Sequence, residues 1–187
     1  MFRVVVVHGW GAHPEEGWRP WLRQELVKLG FKVEVPTMPH TEFPEVHAWV
    51  SHLAEVVDSP GEDVVLVGHS LGCITILRYL ESLPAGSKIR GCLLVAGPYR
   101  DLGIKELATF FAAPLMWKRI RSHCRRFMAI HSDNDYWIPV SHAAIAKKNL
   151  RAEIIMMPGW KHFSSADGCL ELPAALEAVL KLAEIAA

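Results

Sequence analysis

A continuous apolar run passes directly into a helical pattern at residues 62–79, and the pentapeptide Gly68-His69-Ser70-Leu71-Gly72 lies at the junction. The pentapeptide fits G-x-S-x-G, the nucleophile elbow, in which the turn is so tight that only glycine fits at both ends. The serine takes a strained conformation that lifts its hydroxyl above the sheet, beside the free N–H groups of a helix start. Three fixed positions could match by chance, but the flanking strand and helix make coincidence rare. The stretch therefore predicts that Ser70 is a nucleophile.

The rest of the chain alternates between strand and helix patterns. Continuous apolar runs predict five further strands at 3–7, 31–35, 89–96, 127–131 and 152–157, and such runs are typical of parallel strands covered on both faces. Helical patterns cover 15–29, 43–57, 71–83, 140–150 and 170–186, with shorter pieces at 104–111 and 115–123. This alternation predicts an α/β fold with a mostly parallel six-stranded sheet, helices on both faces and a site at the carboxyl ends of the strands.

Composition limits the classes of function. A chain of 187 residues with 51% hydrophobic and 21% charged residues is expected to form one globular domain over 1–187. Lysine plus arginine equals aspartate plus glutamate at 20 each, so no net field would attract nucleic acid or an anionic membrane. The apolar runs are too short for a signal peptide or a membrane span. We therefore expect a cytoplasmic protein with neither a nucleic-acid nor a membrane partner.

Two residue clusters have plain structural interpretations. The four cysteines show no C-x-x-C spacing and fall within apolar or helical patterns, which indicates reduced core thiols. They are Cys73, Cys92, Cys124 and Cys169. The basic residues between 118 and 126 are more consistent with the exposed side of a helix end than with a phosphate site. They are Lys118, Arg119, Arg121, Arg125 and Arg126.

A serine nucleophile needs a base, and the base needs an acid that fixes its tautomer. After an elbow the expected chain order is serine, acid, histidine, on loops that follow later strands. Asp135 is the predicted acid, because it lies well inside the loop after the fifth strand; Asp133, nearer the strand end, is the alternative and could instead cap the turn. For the base, we choose His162 on the loop after the sixth strand.

Two other histidines are weaker candidates for the base. His131 falls at the end of the fifth strand, and His142 falls within a helix. No histidine follows His162 in the sequence, and its loop, which begins beyond Gly159, can reach back over the sheet. The order Ser70, Asp135, His162 is therefore the predicted triad.

The remaining site residues are expected on the same edge. The backbone N–H groups of Leu71 and Trp10 are the predicted oxyanion hole, since the glycine-rich loop after the first strand can lie beneath a substrate carbonyl. Aromatic residues on three site loops predict an apolar acyl pocket. The predicted substrate-binding residues are His8, Gly9, Trp10, His69, Trp137 and Trp160. Despite ten histidines, no H-E-x-x-H spacing occurs, so neither a metal nor a cofactor is expected.

Taken together, these motifs resemble small α/β-hydrolases of the retinoblastoma-binding protein nine type, which include the bacterial YdeN-like serine hydrolases. The likeness is carried by Val-His-Gly-Trp-Gly, Gly-His-Ser-Leu-Gly, Ser-Asp-Asn-Asp-Tyr-Trp-Ile-Pro and Lys-His-Phe, and it runs nearly end to end. The resemblance implies the α/β-hydrolase fold with strand order 2-1-3-4-5-6, little or no cap domain, and the triad Ser70, Asp135 and His162. The L-x-C-x-E motif is absent, because Leu71-Gly72-Cys73-Ile74 continues with Thr75. A retinoblastoma-type partner is therefore not expected.

Two hypotheses for function follow. The first is a cofactor-free serine hydrolase that cleaves small carboxylic esters, with amides and peptide derivatives as further candidates, through an acyl-enzyme on Ser70. The second is a weakly active or inactive protein of the same fold that acts as a protein-interaction module. Labelling by a fluorophosphonate probe separates them, because only an activated serine reacts.

Overall fold

A six-stranded sheet forms the centre of the computed structural model, which describes residues 1–184. The strands are β1 (Arg3–Val7), β2 (Lys32–Glu34), β3 (Val64–His69), β4 (Ile89–Val95), β5 (Cys124–His131) and β6 (Glu153–Met156). They lie in the order β2-β1-β3-β4-β5-β6, and all five neighbouring pairs are parallel. The predicted fold class and strand order are confirmed.

Seven helices surround the sheet within residues 1–184; six lie between strands and the seventh follows the last strand. They are α1 (Arg19–Lys28), α2 (Val46–Val57), α3 (Leu71–Ser82), α4 (Ala108–Phe111), α5 (Trp117–Ser122), α6 (Ser141–Leu150) and α7 (Pro173–Ala183). Helices α1 and α7 pack on one face of the sheet, and the other five pack on the opposite face. The 28 residues between β4 and β5 hold only α4, α5 and a short 3-10 turn at Lys105–Leu107, so no separate cap domain covers the site within residues 1–184.

The central strands are largely apolar because each contributes side chains to two cores. In β1, Val5 and Val7 belong to the core under α2 and α3, whereas Val4 and Val6 belong to the core under α1 and α7. The same alternation continues through β3, β4 and β5. Each fully buried side chain of this size contributes roughly 1.5–3 kcal/mol. Burial on both faces therefore fixes the register, and the register fixes which loops meet at the carboxyl edge.

Helices α1 and α2 begin later than expected. Helix α1 starts at Arg19, not at Glu15, because Gly17 takes a positive φ of 61° and Pro20 occupies the first turn. The helix also ends one residue earlier than expected, at Lys28, and Leu29 beyond it is exposed. Helix α2 starts at Val46 and leaves Phe43 outside it, on the surface.

The later elements also differ at their ends. Strand β5 begins at Cys124, three residues before the predicted start at Phe127. The terminal helix begins at Pro173 instead of Leu170, because a proline is well placed in a first turn. The prediction that this helix reaches Ala186 concerns residues outside those described. The remaining boundaries agree within one or two residues.

The cysteine prediction is confirmed, since all four thiols are free and buried. The basic cluster is engaged in local contacts. Arg119 donates to the carbonyls of Glu81 and Leu83 at the carboxyl end of α3, and Arg125 pairs with Glu62 at 2.8 Å. In the part of the chain from 1 to 184, no helix combines the length and the apolar character that crossing a membrane requires.

Candidate active site

The turn between β3 and α3 has the geometry of a nucleophile elbow. Ser70 has φ 52° and ψ −118°, a strained conformation for a residue with a side chain. A Cβ atom on Gly68 would lie 2.8 Å from the backbone nitrogen of Cys73, and one on Gly72 would overlap the carbonyl of Val7. The N–H of Ser70 donates to the carbonyl of Val95 at 2.9 Å. The close approach of β1, β3 and α3 therefore requires both glycines and holds the serine at the carboxyl edge.

Gly72→Ala is expected to destabilise the protein by about 3 kcal/mol or more, because the new methyl group must displace the backbone of β1. The measurement is the free energy of unfolding in urea. Gly86→Ala is the matched control, since Gly86 has φ +91° but no atom within 4 Å of an added Cβ. That variant should lose only about 1–2 kcal/mol through backbone strain. Equal losses of unfolding free energy in the two variants would contradict a steric requirement for glycine at residue 72.

The loop after β5 and the loop after β6 bring an acid and an imidazole together. His162 Nδ1 donates to the Asp135 carboxylate at 2.9 Å to Oδ2 and 3.1 Å to Oδ1. Asp135 Oδ1 also accepts the backbone N–H groups of Trp137 at 2.8 Å and Ile138 at 2.9 Å. The two side chains are 9% and 2% exposed. Because the carboxylate only accepts, Nδ1 carries the hydrogen and Nε2 is left as the basic nitrogen.

The alternative acid and bases have other partners. Asp133 Oδ1 accepts the N–H of Gly159 at 2.8 Å, which links the two site loops. His142 Nδ1 accepts the N–H of Tyr99 at 3.0 Å, and the Tyr99 hydroxyl lies 3.4 Å from His131 Nε2. Burial lowers the pKa of each of these two histidines to about 4. Both rings are therefore neutral near pH 7, and neither meets the Asp135 carboxylate through a hydrogen bond within residues 1–184.

Ser70 and His162 line the same cavity, whose volume is about 300 Å³. Most of its wall is apolar, with Leu102, Ile104, Leu107 and Ile138 among the residues. The predicted site residues at the cavity are Gly9, Trp10, His69, Ser70, Leu71, Trp137 and His162. Within residues 1–184 no hydrogen bond joins the Ser70 hydroxyl to His162. Contacts between a nucleophile and its base often tighten only when substrate is bound, so this geometry is compatible with a triad.

Trp10 and Leu71, whose backbone N–H groups are the predicted oxyanion hole, line the same cavity as Ser70. Within the described residues neither group donates to another protein atom, which leaves both available to a ligand. Gly9 lies against the elbow, since a Cβ on it would stand 3.2 Å from Ser70 Cβ. The Trp10 indole donates to the carbonyl of Glu42 at 3.0 Å and fixes this loop. The arrangement has the two donors that an oxyanion hole requires.

Two residues expected to bind substrate do not lie at the cavity. His8 is fully buried below it; its Nδ1 donates to the Gly9 carbonyl at 2.8 Å and its Nε2 accepts the N–H of Met38 at 3.0 Å. Burial lowers the pKa of His8 to about 4, so the ring is a neutral bridge between two loops. Trp160 stacks on Phe163, with ring centroids 6.1 Å apart, and lines a separate surface groove. Neither residue lines the cavity that contains Ser70, so a role of either one in substrate binding stays a prediction.

The side chain of His69 fixes the loop that carries His162 through a hydrogen bond to its backbone. Its Nε2 donates to the His162 carbonyl at 2.8 Å, and the two rings lie 5.2 Å apart. Burial, together with the nearby His162, lowers the pKa of His69 well below its usual value. The ring is therefore neutral and serves as a constant donor. In addition to lining the cavity, as expected, it fixes the backbone of the neighbouring imidazole.

Sequence reasoning missed Asp167, which organises the same loop. Its carboxylate accepts the N–H of His162 at 3.2 Å, the hydroxyl of Ser164 at 2.7 Å and the hydroxyl of Tyr136 at 3.3 Å. Burial alone would raise the pKa of Asp167, but these hydrogen bonds lower the pKa below its ordinary value. Ser164 and Asp167 form a capping box, so the spacing Ser-x-x-Asp was the available signal.

The strand order of the parallel sheet and the elbow at Ser70 are those of the α/β-hydrolase fold. The model of the family described as "Serine hydrolase" matches residues 4–181 of this chain. The chain therefore belongs to the serine hydrolase family, and the family resemblance seen in its motifs is confirmed.

Named relatives agree with this assignment. The protein YdeN of Bacillus subtilis (strain 168) is 28% identical over 172 residues, which are 91% of this chain and 90% of YdeN. Serine hydrolase RBBP9 of Rattus norvegicus is 23% identical over 167 residues, or 88% of this chain and 87% of the relative. The crystal structure of the B. subtilis ydeN gene product superposes with a TM-score of 0.93 at 26% identity, covering 97% of this chain and 98% of that one. The structure of Est1E from Butyrivibrio proteoclasticus shares the fold, with a TM-score of 0.74 at 14% identity over 97% of this chain and 88% of its own.

Proposed function

We propose that this protein hydrolyses small carboxylic esters through an acyl-enzyme on Ser70. The observation that carries the proposal is the hydrogen-bonded pair of Asp135 and His162 at the cavity that contains the Ser70 elbow. In the proposed first step, His162 Nε2 takes the hydroxyl proton as Ser70 Oγ attacks the ester carbonyl. Asp135 keeps the Nδ1–H tautomer in place and stabilises the imidazolium that forms.

The N–H groups of Trp10 and Leu71 are the proposed donors to the carbonyl oxygen as it becomes an oxyanion. Leu71 is the first residue of α3, so the positive end of the helix dipole also favours negative charge there. When the tetrahedral intermediate collapses, the ester bond breaks and His162 returns the proton to the leaving alcohol. Water, activated by the same imidazole, then cleaves the acyl-enzyme and restores Ser70. The proposed reaction uses only protein groups and water.

The size and the wall of the cavity support a small substrate with an apolar part. A volume of about 300 Å³ is at the lower end of ligand pockets, and aliphatic side chains with Trp137 form much of its surface. Amides and peptide derivatives are harder to cleave by the same route and are the second candidates within this class. The four free, buried thiols support a reducing compartment, and we propose the cytoplasm.

The proposal is tested with a fluorophosphonate probe and a panel of 4-nitrophenyl esters from acetate to octanoate. We expect labelling of one serine, Ser70, and faster hydrolysis of the short esters than of the long ones. A folded protein that neither reacts with the probe nor cleaves any ester would favour the alternative, an interaction module with this fold.

Asp167→Asn is expected to lower kcat by roughly 10- to 100-fold, because small displacements of a catalytic imidazole are costly. Asp167 does not line the cavity, so KM should change little. Steady-state kinetics on 4-nitrophenyl butyrate give both constants. Asp63→Asn removes a carboxylate of an exposed ion pair with Arg3 and is the control. A rise in KM with unchanged kcat would contradict a positioning role for Asp167.

A further inference from the structure

A second chamber adjoins the Ser70 cavity. Leu102, Ile104, Tyr136 and Trp137 line both spaces, which places the chamber directly beside the cavity that contains Ser70. The volume of the chamber is about 410 Å³, and it opens to the surface. The proposed hydrolysis does not use this chamber. Unlike the mostly apolar cavity at Ser70, the chamber is lined in part by the polar side chains of Arg100, Asp101 and His142.

A guanidinium group marks the outer part of the chamber. Arg100 is exposed, and its Nη2 lies 3.3 Å from the hydroxyl of Ser141. Within residues 1–184 it pairs with no carboxylate. Asp101 also lines the chamber, but its Oδ1 accepts the N–H of Gly103 at 2.9 Å in a local turn. Arg100 is therefore a cation free to meet an anionic ligand.

A buried donor marks the inner part. His142 is fully buried and lines the chamber. Burial and the positive charge of Arg100 lower its pKa to about 4, against a smaller opposing effect of Asp135. Since Nδ1 accepts the N–H of Tyr99, the hydrogen of this neutral ring lies on Nε2. That N–H has no partner within residues 1–184, and an unpaired buried donor favours an incoming acceptor. Because the atom is closed to solvent, an acceptor in the chamber reaches it only after a small movement of the surrounding side chains.

We propose that this chamber binds a carboxylate of the substrate, with Arg100 and the Nε2–H of His142 as donors, while the ester bond lies at Ser70. A carboxylate suits both groups, because its two oxygens can accept one charge-assisted and one neutral hydrogen bond. An alkyl end would leave both donors unpaired. The inference rests on the proposed function and narrows its substrate to esters of dicarboxylic acids and related ester acids.

The test uses 4-nitrophenyl monoesters of dicarboxylic acids from adipate to sebacate, each paired with its methyl-capped counterpart. For the wild-type protein, we expect kcat/KM at the best chain length to be about tenfold or more higher for the free carboxylate, as charge-assisted hydrogen bonds allow. In Arg100→Gln this ratio should fall toward one. Arg125→Gln removes the same charge at the amino end of β5, on the opposite edge of the sheet, and should keep the wild-type ratio.

A binding measurement separates failure of the chamber from failure of the esterase. Calorimetric titration of Ser70→Ala with adipate should give weaker binding when Arg100→Gln is added, and dimethyl adipate should bind worse than adipate to Ser70→Ala but about equally to the double variant. His142→Asn, which can keep an acceptor for Tyr99 but lacks the Nε2 donor, should weaken adipate binding as well, with its folding checked by thermal unfolding.

Several results would overturn the chamber proposal. One is the absence of a preference for the free carboxylate at every chain length. Another is an equal fall in kcat/KM for the free and the methyl-capped esters in Arg100→Gln. The third is an affinity for adipate that Arg100→Gln leaves unchanged. A protein that cleaves no ester but binds adipate through Arg100 would overturn the proposed function alone and support the chamber.

Discussion

Ser70→Ala is expected to lower the turnover of 4-nitrophenyl butyrate by roughly 10⁴- to 10⁶-fold, because the acyl-enzyme cannot form without the hydroxyl. Folding should be intact, since alanine is smaller than serine and no hydrogen bond of the Ser70 side chain is lost within residues 1–184. The backbone strain at φ 52° is present in both proteins. The measurement combines initial rates, fluorophosphonate labelling and the free energy of unfolding.

The same experiment requires a control for contaminating esterases. Ser82→Ala, at the last residue of α3, removes a hydroxyl that donates to the Tyr79 carbonyl at 2.7 Å, far along the helix from the elbow. It should keep both activity and labelling. If Ser70→Ala retained a tenth or more of the wild-type rate, another residue would have to be the nucleophile, and the proposed mechanism would be wrong.

Asp135→Asn should have the second-largest effect, a loss of roughly 10³- to 10⁴-fold in kcat. An asparagine amide can donate to His162 Nδ1, which moves the ring hydrogen to Nε2 and removes the base. The backbone N–H groups of Trp137 and Ile138 can still bond to the amide oxygen, so the loop should keep its shape. The loss would therefore report on the tautomer of His162 more than on folding.

Asp133→Asn is the matched comparison, because it lies two residues away in the same loop. Its amide oxygen can still accept the N–H of Gly159, and we expect activity within about threefold of wild type, as for a surface substitution. The two variants are compared by kcat on the same ester and by thermal unfolding. If Asp133→Asn were the slower enzyme, the assignment of the acid would have to be reversed.

The features predictable from sequence are those determined by short segments. Gly68 and Gly72 make the elbow recognisable because the steric requirement is local to five residues. The pairing of His162 with Asp135 follows from chain order once the strands are known, since parallel strands end at one edge of the sheet. Their catalytic roles remain predictions that the substitutions above test.

The missed features depend on contacts between distant segments. His8 ends a strand like many site residues, but the N–H of Met38, thirty residues later, draws its ring into the core. Trp160 stacks on Phe163 because the loop turns back on itself, and nothing in the local sequence fixes that direction. The predicted start of α1 at Glu15 is four residues too early, because Gly17 takes a positive φ and Pro20 lies in the first turn of the helix.

The hydrogen bond from the Tyr136 hydroxyl to Asp167 joins the loop after β5 to the loop after β6, and the bond from the His162 N–H to Asp167 fixes the base within the second loop. The loops that carry the acid and the base of the candidate site are thus linked to each other. Grafting only one of the two loops onto a related scaffold would leave the Asp167 carboxylate or the Tyr136 hydroxyl without its hydrogen-bond partner. Transfer of specificity between members of this family should therefore succeed only when residues 132–138 and 158–168 move as a pair.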